Sequence, residues 1–247
     1  MSTPSHSRVA LVTGSSRGIG AAIARRLAAD GFAVAVNYAS RQDEADAVVA
    51  AIEQAGGRAL AVQADVASAD DVKRMFDTVE DTLGRIDVLV NNAGVLPYVR
   101  IADTSDEVFA RTFAINVQGS FNTMREAATR LNDGGRIVNF STSVVGLALP
   151  TYGVYVGTKA AVEAMTQVFA KELRGRAITC NAVAPGPVAT ELFFNGKSEE
   201  QVQHLAKMPP LERLGQPEDI AGVVAFLAGP DGAWVNGQVL RANGGIV

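Results

Sequence analysis

The alternation of short apolar runs with longer helical patterns is the feature that most limits how this chain can fold. The apolar runs are rich in β-branched residues, and the segments between them repeat apolar positions at helical spacing. Such alternation predicts a parallel sheet whose strands are joined by helices. Runs such as Val88-Leu-Val90 are apolar throughout, as expected for strands that are buried on both faces.

We therefore predict an α/β, doubly wound (Rossmann-type) parallel sheet of about seven strands with helices on both faces. The predicted strands are Val9–Thr13, Ala33–Tyr38, Arg58–Ala64, Ile86–Asn91, Arg136–Ser141, Ala177–Ala184 and Gln238–Arg241. The predicted helices are Gly18–Asp30, Gln42–Ala55, Ala69–Leu83, Ser105–Leu131, Tyr152–Leu173 and Pro217–Ala228. No linker divides residues 1–247, so we predict a single domain, with a substrate lid near 186–210 where the alternation is interrupted.

The turn after the first strand reads Gly14-Ser-Ser-Arg-Gly-Ile-Gly20. Glycines allow a tight turn and a close approach of the backbone to a pyrophosphate, and the following helix offers free N–H groups at its N-terminus. The spacing differs from the Gly-x-Gly-x-x-Gly pattern of other dinucleotide-binding folds, but the physical requirement is the same. The turn therefore predicts a dinucleotide site.

Tyr155 and Lys159 are four residues apart within a predicted helix, which places both side chains on one face. An ammonium group within ~4–6 Å of a phenol lowers the phenol pKa by ~1–3 units. An isolated pair of this kind is usually a solvated surface pair. Here Ser143 lies twelve residues upstream of Tyr155, at the end of an apolar strand, and the glycine turn precedes both. Together, Tyr155, Lys159, Ser143 and the glycine turn indicate a site that transfers protons.

In order along the chain, these motifs resemble those of the short-chain dehydrogenase/reductase family. The resemblance extends from about Val9 to Gly245 and rests on Thr13–Gly20, Asn91–Gly94, Asn116, Ser143, Tyr155-x-x-x-Lys159 and Pro185-Gly186. It implies an enzyme similar to ketoacyl reductases, which reduces a ketone or aldehyde to an alcohol, reversibly, by hydride transfer from NADPH. A non-catalytic protein that senses dinucleotides is the alternative.

The resemblance also implies a role for each catalytic residue. Tyr155 is the proton donor, Lys159 lowers its pKa and holds the nicotinamide ribose, and Ser143 positions the carbonyl oxygen. Asn116 bends a long helix and holds a water in the proton path, although a merely structural role remains open. Thr142 remains an alternative to Ser143, because three hydroxyl residues adjoin here and the spacing to the tyrosine is one shorter than is common.

NADP(H) is predicted in preference to NAD(H), because the end of the second strand lacks a carboxylate and carries Asn37-Tyr-Ala-Ser40 instead. Arg17 and Arg41 are placed to bind a 2′-phosphate, unless both are simply solvated. With Tyr155 and Lys159, the predicted cofactor-binding residues are Gly14, Ser16, Arg17, Gly18, Ile19, Gly20, Asn37, Tyr38, Ser40, Arg41, Asp65, Val66, Asn92, Ala93, Gly94, Pro185, Gly186, Val188 and Thr190.

The predicted substrate is a small apolar carbonyl compound or alcohol, because the residues expected around the reacting centre are apolar. They come from the loops after the fourth and fifth strands and from the lid, and they are Tyr98, Val145, Leu147, Tyr152, Phe193 and Phe194. The alternative is that the two phenylalanines pack within the lid or against another subunit.

The remaining predictions follow from composition and from the resemblance. A net charge of −4 provides no field for a nucleic acid, and no cluster at ligand spacing predicts a metal. No stretch is long and apolar enough to span a membrane, so we expect a cytoplasmic protein. The resemblance implies a homotetramer, consistent with the apolar Val162, Met165, Val168 and Phe169 after Lys159.

Overall fold

Seven parallel strands form one sheet in the computed structural model, which describes residues 7–247. The strands are β1 (Val9–Val12), β2 (Ala33–Tyr38), β3 (Arg58–Gln63), β4 (Ile86–Asn91), β5 (Arg136–Phe140), β6 (Thr179–Pro185) and β7 (Val239–Ala242). Their order is β3-β2-β1-β4-β5-β6-β7. The order reverses between β1 and β4, which opens a crevice at the carboxyl ends of these strands. The predicted fold class is confirmed.

The helices are α1 (Gly18–Ala29), α2 (Gln42–Gln54), α3 (Ala69–Leu83), α4 (Asp106–Phe113), α5 (Gly119–Arg130), α6 (Val144–Leu147), α7 (Gly153–Glu172), α8 (Glu191–Phe194), α9 (Glu199–Lys207) and α10 (Pro217–Ala228). Short 3-10 turns occupy Ile101–Asp103 and Pro230–Gly232. The predicted helix Ser105–Leu131 is not one regular helix, because a π-helical turn at Ala114–Gln118 separates α4 from α5.

Alternate residues of each buried strand pack into two cores, one on each face of the sheet. In β1, Val9 and Leu11 join a core with Phe76 and Ile137, whereas Ala10 and Val12 join the opposite core with Ile23 and Val224. Helices α1, α2 and α10 cover one face, and α3, α5 and α7 cover the other. These layers hold the carboxyl ends of the strands in place as a rigid edge.

The segment predicted as a lid contains α8 and α9. Each helix begins at a side-chain cap: the Thr190 hydroxyl accepts a hydrogen bond from Phe193 N at 3.2 Å, and Ser198 accepts one from Gln201 N at 3.3 Å. Such caps satisfy N–H groups that the first turn leaves without partners. The segment is therefore structured, and its movement over the crevice stays a prediction.

Within residues 7–247, every helix is too short or too polar to cross a lipid bilayer.

Candidate active site

Two adjoining clefts lie at the carboxyl ends of the strands. The glycine-turn cleft, of about 1300 Å³, is lined by the turn after β1, by the ends of β2 and β3 and by the loop after β4. The tyrosine cleft, of about 990 Å³, contains Tyr155 and Lys159 and is bounded by the lid. Both volumes include the part that is open to solvent. The clefts are continuous, because they share the lining residues Ile19, Asn92, Gly94, Thr190 and Leu192.

The structure brings the predicted cofactor-binding residues together along these two clefts. The glycine-turn cleft is lined by Gly14, Ser16, Arg17, Gly18, Ile19, Gly20, Asn37, Tyr38, Ser40, Arg41, Asp65, Val66, Asn92, Ala93, Gly94 and Thr190. The tyrosine cleft is lined by Pro185, Gly186, Val188 and Thr190, together with Tyr155 and Lys159. Residues that are far apart in the chain thus form one continuous surface.

The turn between β1 and α1 depends on its glycines. Gly14 has a φ of +61°, and a Cβ there would lie 2.8 Å from the Ala93 Cα. A Cβ at Gly20 would lie 2.5 Å from the Gly14 carbonyl oxygen. Arg17 precedes α1 and its side chain does not cap the helix, so the first N–H groups of α1 remain available to a ligand in the cleft.

Asn37 lines the glycine-turn cleft, but its side-chain amide is committed to the fold. It is buried, its Oδ1 accepts a hydrogen bond from Gly14 N at 3.1 Å, and its Nδ2 donates to the carbonyls of Val62 and Ala64 at 3.3 and 3.2 Å. These bonds hold the glycine turn against the strand edge, and a direct contact between Asn37 and a cofactor stays a prediction.

Arg17 and Arg41 both line the glycine-turn cleft, and each forms an ion pair with a carboxylate. Glu191, at the start of α8, forms an ion pair with Arg17 and lies 3.9 Å from Arg41. Arg41 also pairs with Glu44 at 2.6 Å, and hydrogen bonding to Glu44 raises the pKa of Arg41. Arg111 of α4 is a third cation in this cleft that the sequence analysis missed.

Tyr155 and Lys159 lie side by side on α7, with Lys159 Nζ 5.7 Å from the centroid of the Tyr155 ring. Lys159 is buried, and its Nζ donates a hydrogen bond of 2.8 Å to the Phe140 carbonyl. Burial lowers the pKa of Lys159 to about 8. Burial also raises the pKa of Tyr155 to about 12, although part of the tyrosine surface is exposed; a hydrogen bond with Thr142 opposes the rise. The direction is opposite to the predicted lowering of the Tyr155 pKa, because desolvation is its largest cause.

Three hydroxyl residues, Ser141, Thr142 and Ser143, follow β5, and the environments of Ser143 and Thr142 differ. Ser143 is buried; its hydroxyl donates to the Ala184 carbonyl at 3.2 Å and accepts a hydrogen bond from Asn243 Nδ2 at 2.9 Å. Thr142 instead forms a hydrogen bond with Tyr155, which works to lower the pKa of the phenol. Both residues line the tyrosine cleft, so the structure keeps Ser143 and Thr142 as candidates for contact with a carbonyl oxygen.

Asn116 lies in the π-helical turn and is fully buried. Its Oδ1 accepts from Val95 N at 2.8 Å, and its Nδ2 donates to the Val95 carbonyl at 2.9 Å and to Thr158 Oγ1 at 3.1 Å. The predicted irregularity of the helix at Asn116 is confirmed. The contacts join the loop after β4 to α7, which is the structural role that the sequence left open.

The lining of the tyrosine cleft differs in part from the predicted pocket. Leu147, Tyr152 and Phe193 line it. Tyr98, Val145 and Phe194 do not: Tyr98 packs edge-on against Tyr152 with ring centroids 5.3 Å apart, and Phe194 is 44% exposed. Apolar residues that the sequence analysis missed include Leu96, Val144, Leu149, Leu205 and Ile246, and the missed cation is Lys197. Neighbouring positions in α6 face different sides, so residue type alone could not separate Val144 from Val145.

No group of three His, Cys, Asp or Glu side chains in the described part of the chain is arranged to hold a metal ion. The only cysteine of the sequence, Cys180, is buried in β6.

Comparisons with known proteins agree over nearly the whole chain. The profile of a family described as enoyl-(acyl carrier protein) reductase matches residues 14–247. A short-chain type dehydrogenase/reductase of Picea abies is 50% identical, covering 97% of this chain and 92% of its own. A chloroplastic NADPH-dependent aldehyde reductase-like protein of Arabidopsis thaliana is 46% identical, and the match covers 99% of this chain and 96% of that protein. A blue fluorescent protein from a metagenomic library, solved in complex with NADPH, is 40% identical with a TM-score of 0.92. The match covers 97% of this chain and 98% of that one.

Proposed function

Because the chain belongs to the short-chain dehydrogenase/reductase family, we propose that it reduces a ketone or aldehyde to an alcohol with NADPH, reversibly, and that Tyr155 donates the proton. One observation carries this proposal: the cleft that holds Tyr155, Lys159 and Ser143 is continuous with the cleft of the glycine turn. A dinucleotide bound along both would place its nicotinamide end near the phenol. Relatives named as NADPH-dependent reductases support the same reaction class.

The residues present fit NADP(H). The uncapped N-terminus of α1 suits the pyrophosphate, because its N–H groups and dipole favour an anion. Arg17, Arg41 and Arg111 offer three guanidinium groups for a 2′-phosphate in the same cleft. When bound, the cofactor supplies the hydride. Solved neighbours that contain NADPH or NADP support this assignment.

The protonation states of the two reactive side chains suit carbonyl reduction. With its pKa raised to about 12, Tyr155 carries its proton at neutral pH and can donate it to a carbonyl oxygen. With its pKa lowered to about 8, Lys159 titrates near neutral pH, where a group can both give and accept a proton. In the oxidative direction, Tyr155 recovers the proton from the alcohol. Ser143 or Thr142 holds the oxygen against the phenol.

The tyrosine cleft favours an apolar carbonyl compound. Leucine, valine and aromatic side chains dominate its lining, and none of its lining residues is acidic. Apolar walls with a few fixed polar groups are typical of sites that orient small organic molecules.

The test is a panel of aldehydes and ketones with NADPH, followed by the loss of reduced-nicotinamide absorbance. Tyr155→Phe keeps the ring but removes the acid, so we expect kcat to fall at least about a hundredfold. The Kd for NADPH, measured by titration calorimetry, is expected to stay within a few-fold.

Two results would contradict the proposal. Retention of more than about a tenth of kcat in Tyr155→Phe would place the acid elsewhere, since general acid catalysis contributes ~10²–10⁴-fold. Tight NADPH binding with no turnover of any carbonyl compound would favour the alternative, a protein that senses dinucleotides without catalysis.

A further inference from the structure

Lys197 places an ammonium group at the lid side of the tyrosine cleft. It lies in the loop between α8 and α9 and is partly buried. Its Nζ donates a hydrogen bond of 2.7 Å to the Phe193 carbonyl and lies 4.9 Å from the centroid of the Phe193 ring and 5.4 Å from that of Tyr98. Two aromatic rings thus hold the cation over the cleft.

In the described part of the chain, no acidic side chain balances this charge. None of the residues that line the tyrosine cleft is an aspartate or glutamate, and within residues 7–247 no carboxylate forms an ion pair with Lys197. Burial lowers the pKa of Lys197, because its ammonium loses water without gaining an opposite charge. An ammonium has three N–H donors, and Phe193 accepts only one of them. Lys197 can therefore bind an anionic oxygen in the cleft.

The position of Lys197 relative to Tyr155 indicates which part of a substrate it would meet. Lys197 and Tyr155 line the same cleft, and aromatic contacts link them. Tyr98 lies beside Lys197, Tyr152 packs on Tyr98 at 5.3 Å, and the Tyr152 and Tyr155 centroids are 6.5 Å apart. A substrate in this cleft with its carbonyl at Tyr155 would meet Lys197 with a different part of its structure.

We propose that Lys197 is a specificity-determining residue that binds a carboxylate on a part of the substrate other than the reacting carbonyl. This inference rests on the proposed function for its choice of site, and it narrows the substrate class from an apolar carbonyl compound to one that also carries an acid group. A role for Lys197 solely as a cap on the carbonyl end of α8 is the competing explanation, since its bond to Phe193 would serve that purpose.

Binding of an unreactive ligand pair tests the proposal without turnover. The probes are 2-naphthoate and methyl 2-naphthoate, which share ring system and shape but differ in charge, titrated by calorimetry with and without NADP⁺. A charge-assisted hydrogen bond predicts that wild type binds the acid at least about fivefold more tightly than the ester. Lys197→Met should abolish this preference, and Lys197→Arg should restore part of it.

Lys207→Met is the matched control, because Lys207 is an exposed lysine at the end of α9 in the same segment. It removes the same net charge and should leave the preference unchanged. The proposal is overturned if wild type does not prefer the acid, if Lys197→Met keeps the preference, or if Lys207→Met loses as much of it. A preference retained in Lys197→Met together with a lower melting temperature would identify the cap on α8 as the role of Lys197.

A kinetic comparison separates this inference from the proposed function. With NADPH, wild type should show a lower KM for 4-formylbenzoate than for its methyl ester, and Lys197→Met should raise only the KM of the acid. If the protein reduces neither aldehyde and no other carbonyl compound, the result counts against the proposed function. Turnover of both with a KM ratio that Lys197→Met leaves unchanged would count against Lys197 alone.

Discussion

At the residue scale, burial acts in opposite directions on the protonation of Lys159 and Tyr155. Desolvation disfavours the charged form of each group, so it lowers the pKa of the lysine to about 8 and raises that of the tyrosine to about 12. The lysine keeps a hydrogen bond to the Phe140 carbonyl, but no carboxylate offsets the cost of burying its charge. The buried Lys159 therefore makes the folded state less stable at neutral pH than at mildly alkaline pH.

This difference predicts how stability depends on pH. The unfolded chain holds the Lys159 proton up to its ordinary pKa of 10.5, whereas the folded chain releases it near pH 8. Between these values the unfolded state binds more protons, so the free energy of unfolding should rise with pH. Lys159→Met removes this contribution. We expect the difference in free energy of unfolding between wild type and this variant to grow by about 2 kcal/mol in favour of wild type from pH 8 to pH 10.

Urea denaturation followed by circular dichroism measures the difference. Lys171→Met, at an exposed lysine on the same helix, is the control and should run parallel to wild type. The range stops near pH 10 because Tyr155, whose pKa is raised, would oppose the trend above that value. Parallel curves for wild type and Lys159→Met would show that the lysine is charged to the same extent in both states.

At the scale of elements, α8 belongs to the lid and also lines the glycine-turn cleft. Its first residue, Glu191, forms an ion pair with Arg17 and approaches Arg41, the two arginines that would bind a 2′-phosphate. A phosphate entering the cleft must compete with this carboxylate. The exposed ion pair between Glu191 and Arg17 therefore joins the lid to the glycine-turn cleft.

Glu191→Gln should strengthen binding of NADPH selectively. Exposed ion pairs contribute up to about 1 kcal/mol, so we expect the Kd for NADPH to fall by up to about fivefold and that for NADH to stay nearly unchanged. Wild type itself should bind NADPH at least about tenfold more tightly than NADH. Calorimetric titration of both cofactors measures these values. Glu199→Gln, an exposed position in α9, is the control. Equal changes for the two cofactors would mean that Glu191 does not compete with the 2′-phosphate.

At the scale of the whole molecule, apolar side chains remain exposed on two regions of the surface. Phe109 of α4, Phe121 of α5 and Val168 of α7 are 48%, 46% and 55% exposed. Phe226 and Trp234, at the end of α10 and in the loop beyond it, are 41% and 98% exposed. The sequence argument is corrected in part, since Val162 is fully buried and Phe169 packs against the core. Exposed apolar patches of this kind are typical of surfaces that bind another molecule.

We predict a homotetramer, in which each of these regions meets its copy across a twofold axis. Light scattering at micromolar concentration should give the tetramer mass for wild type. Val168→Asp combined with Phe121→Asp should leave dimers, and Trp234→Ser combined with Phe226→Asp should also leave dimers through the other contact. A wild-type monomer would refute the prediction. Dimers in wild type would limit association to one of the two surfaces.

The sequence determined the features that depend on near neighbours in the chain. The bounds of the predicted strands and helices agree with the structure to within two residues apart from the π-helical turn, because hydrophobic periodicity is a local property. The short helices α6, α8 and α9 were not predicted. The pair Tyr155 and Lys159 could be placed on one face because four residues make about one turn of a helix. The glycine turn could be recognised because Gly14 needs a backbone conformation that other residues rarely adopt.

Which distant side chains meet, and how deeply each is buried, depends on how the whole chain packs. Glu191 reaches Arg17 across 174 residues of sequence, and Asn243 reaches the Ser143 hydroxyl across 100. No local pattern encodes such contacts, because they depend on how the lid and the C-terminal segment pack on the strand edge. The pKa values of Tyr155 and Lys159 also depend on this packing, since desolvation depends on the atoms that surround a group in space rather than on its neighbours in the chain.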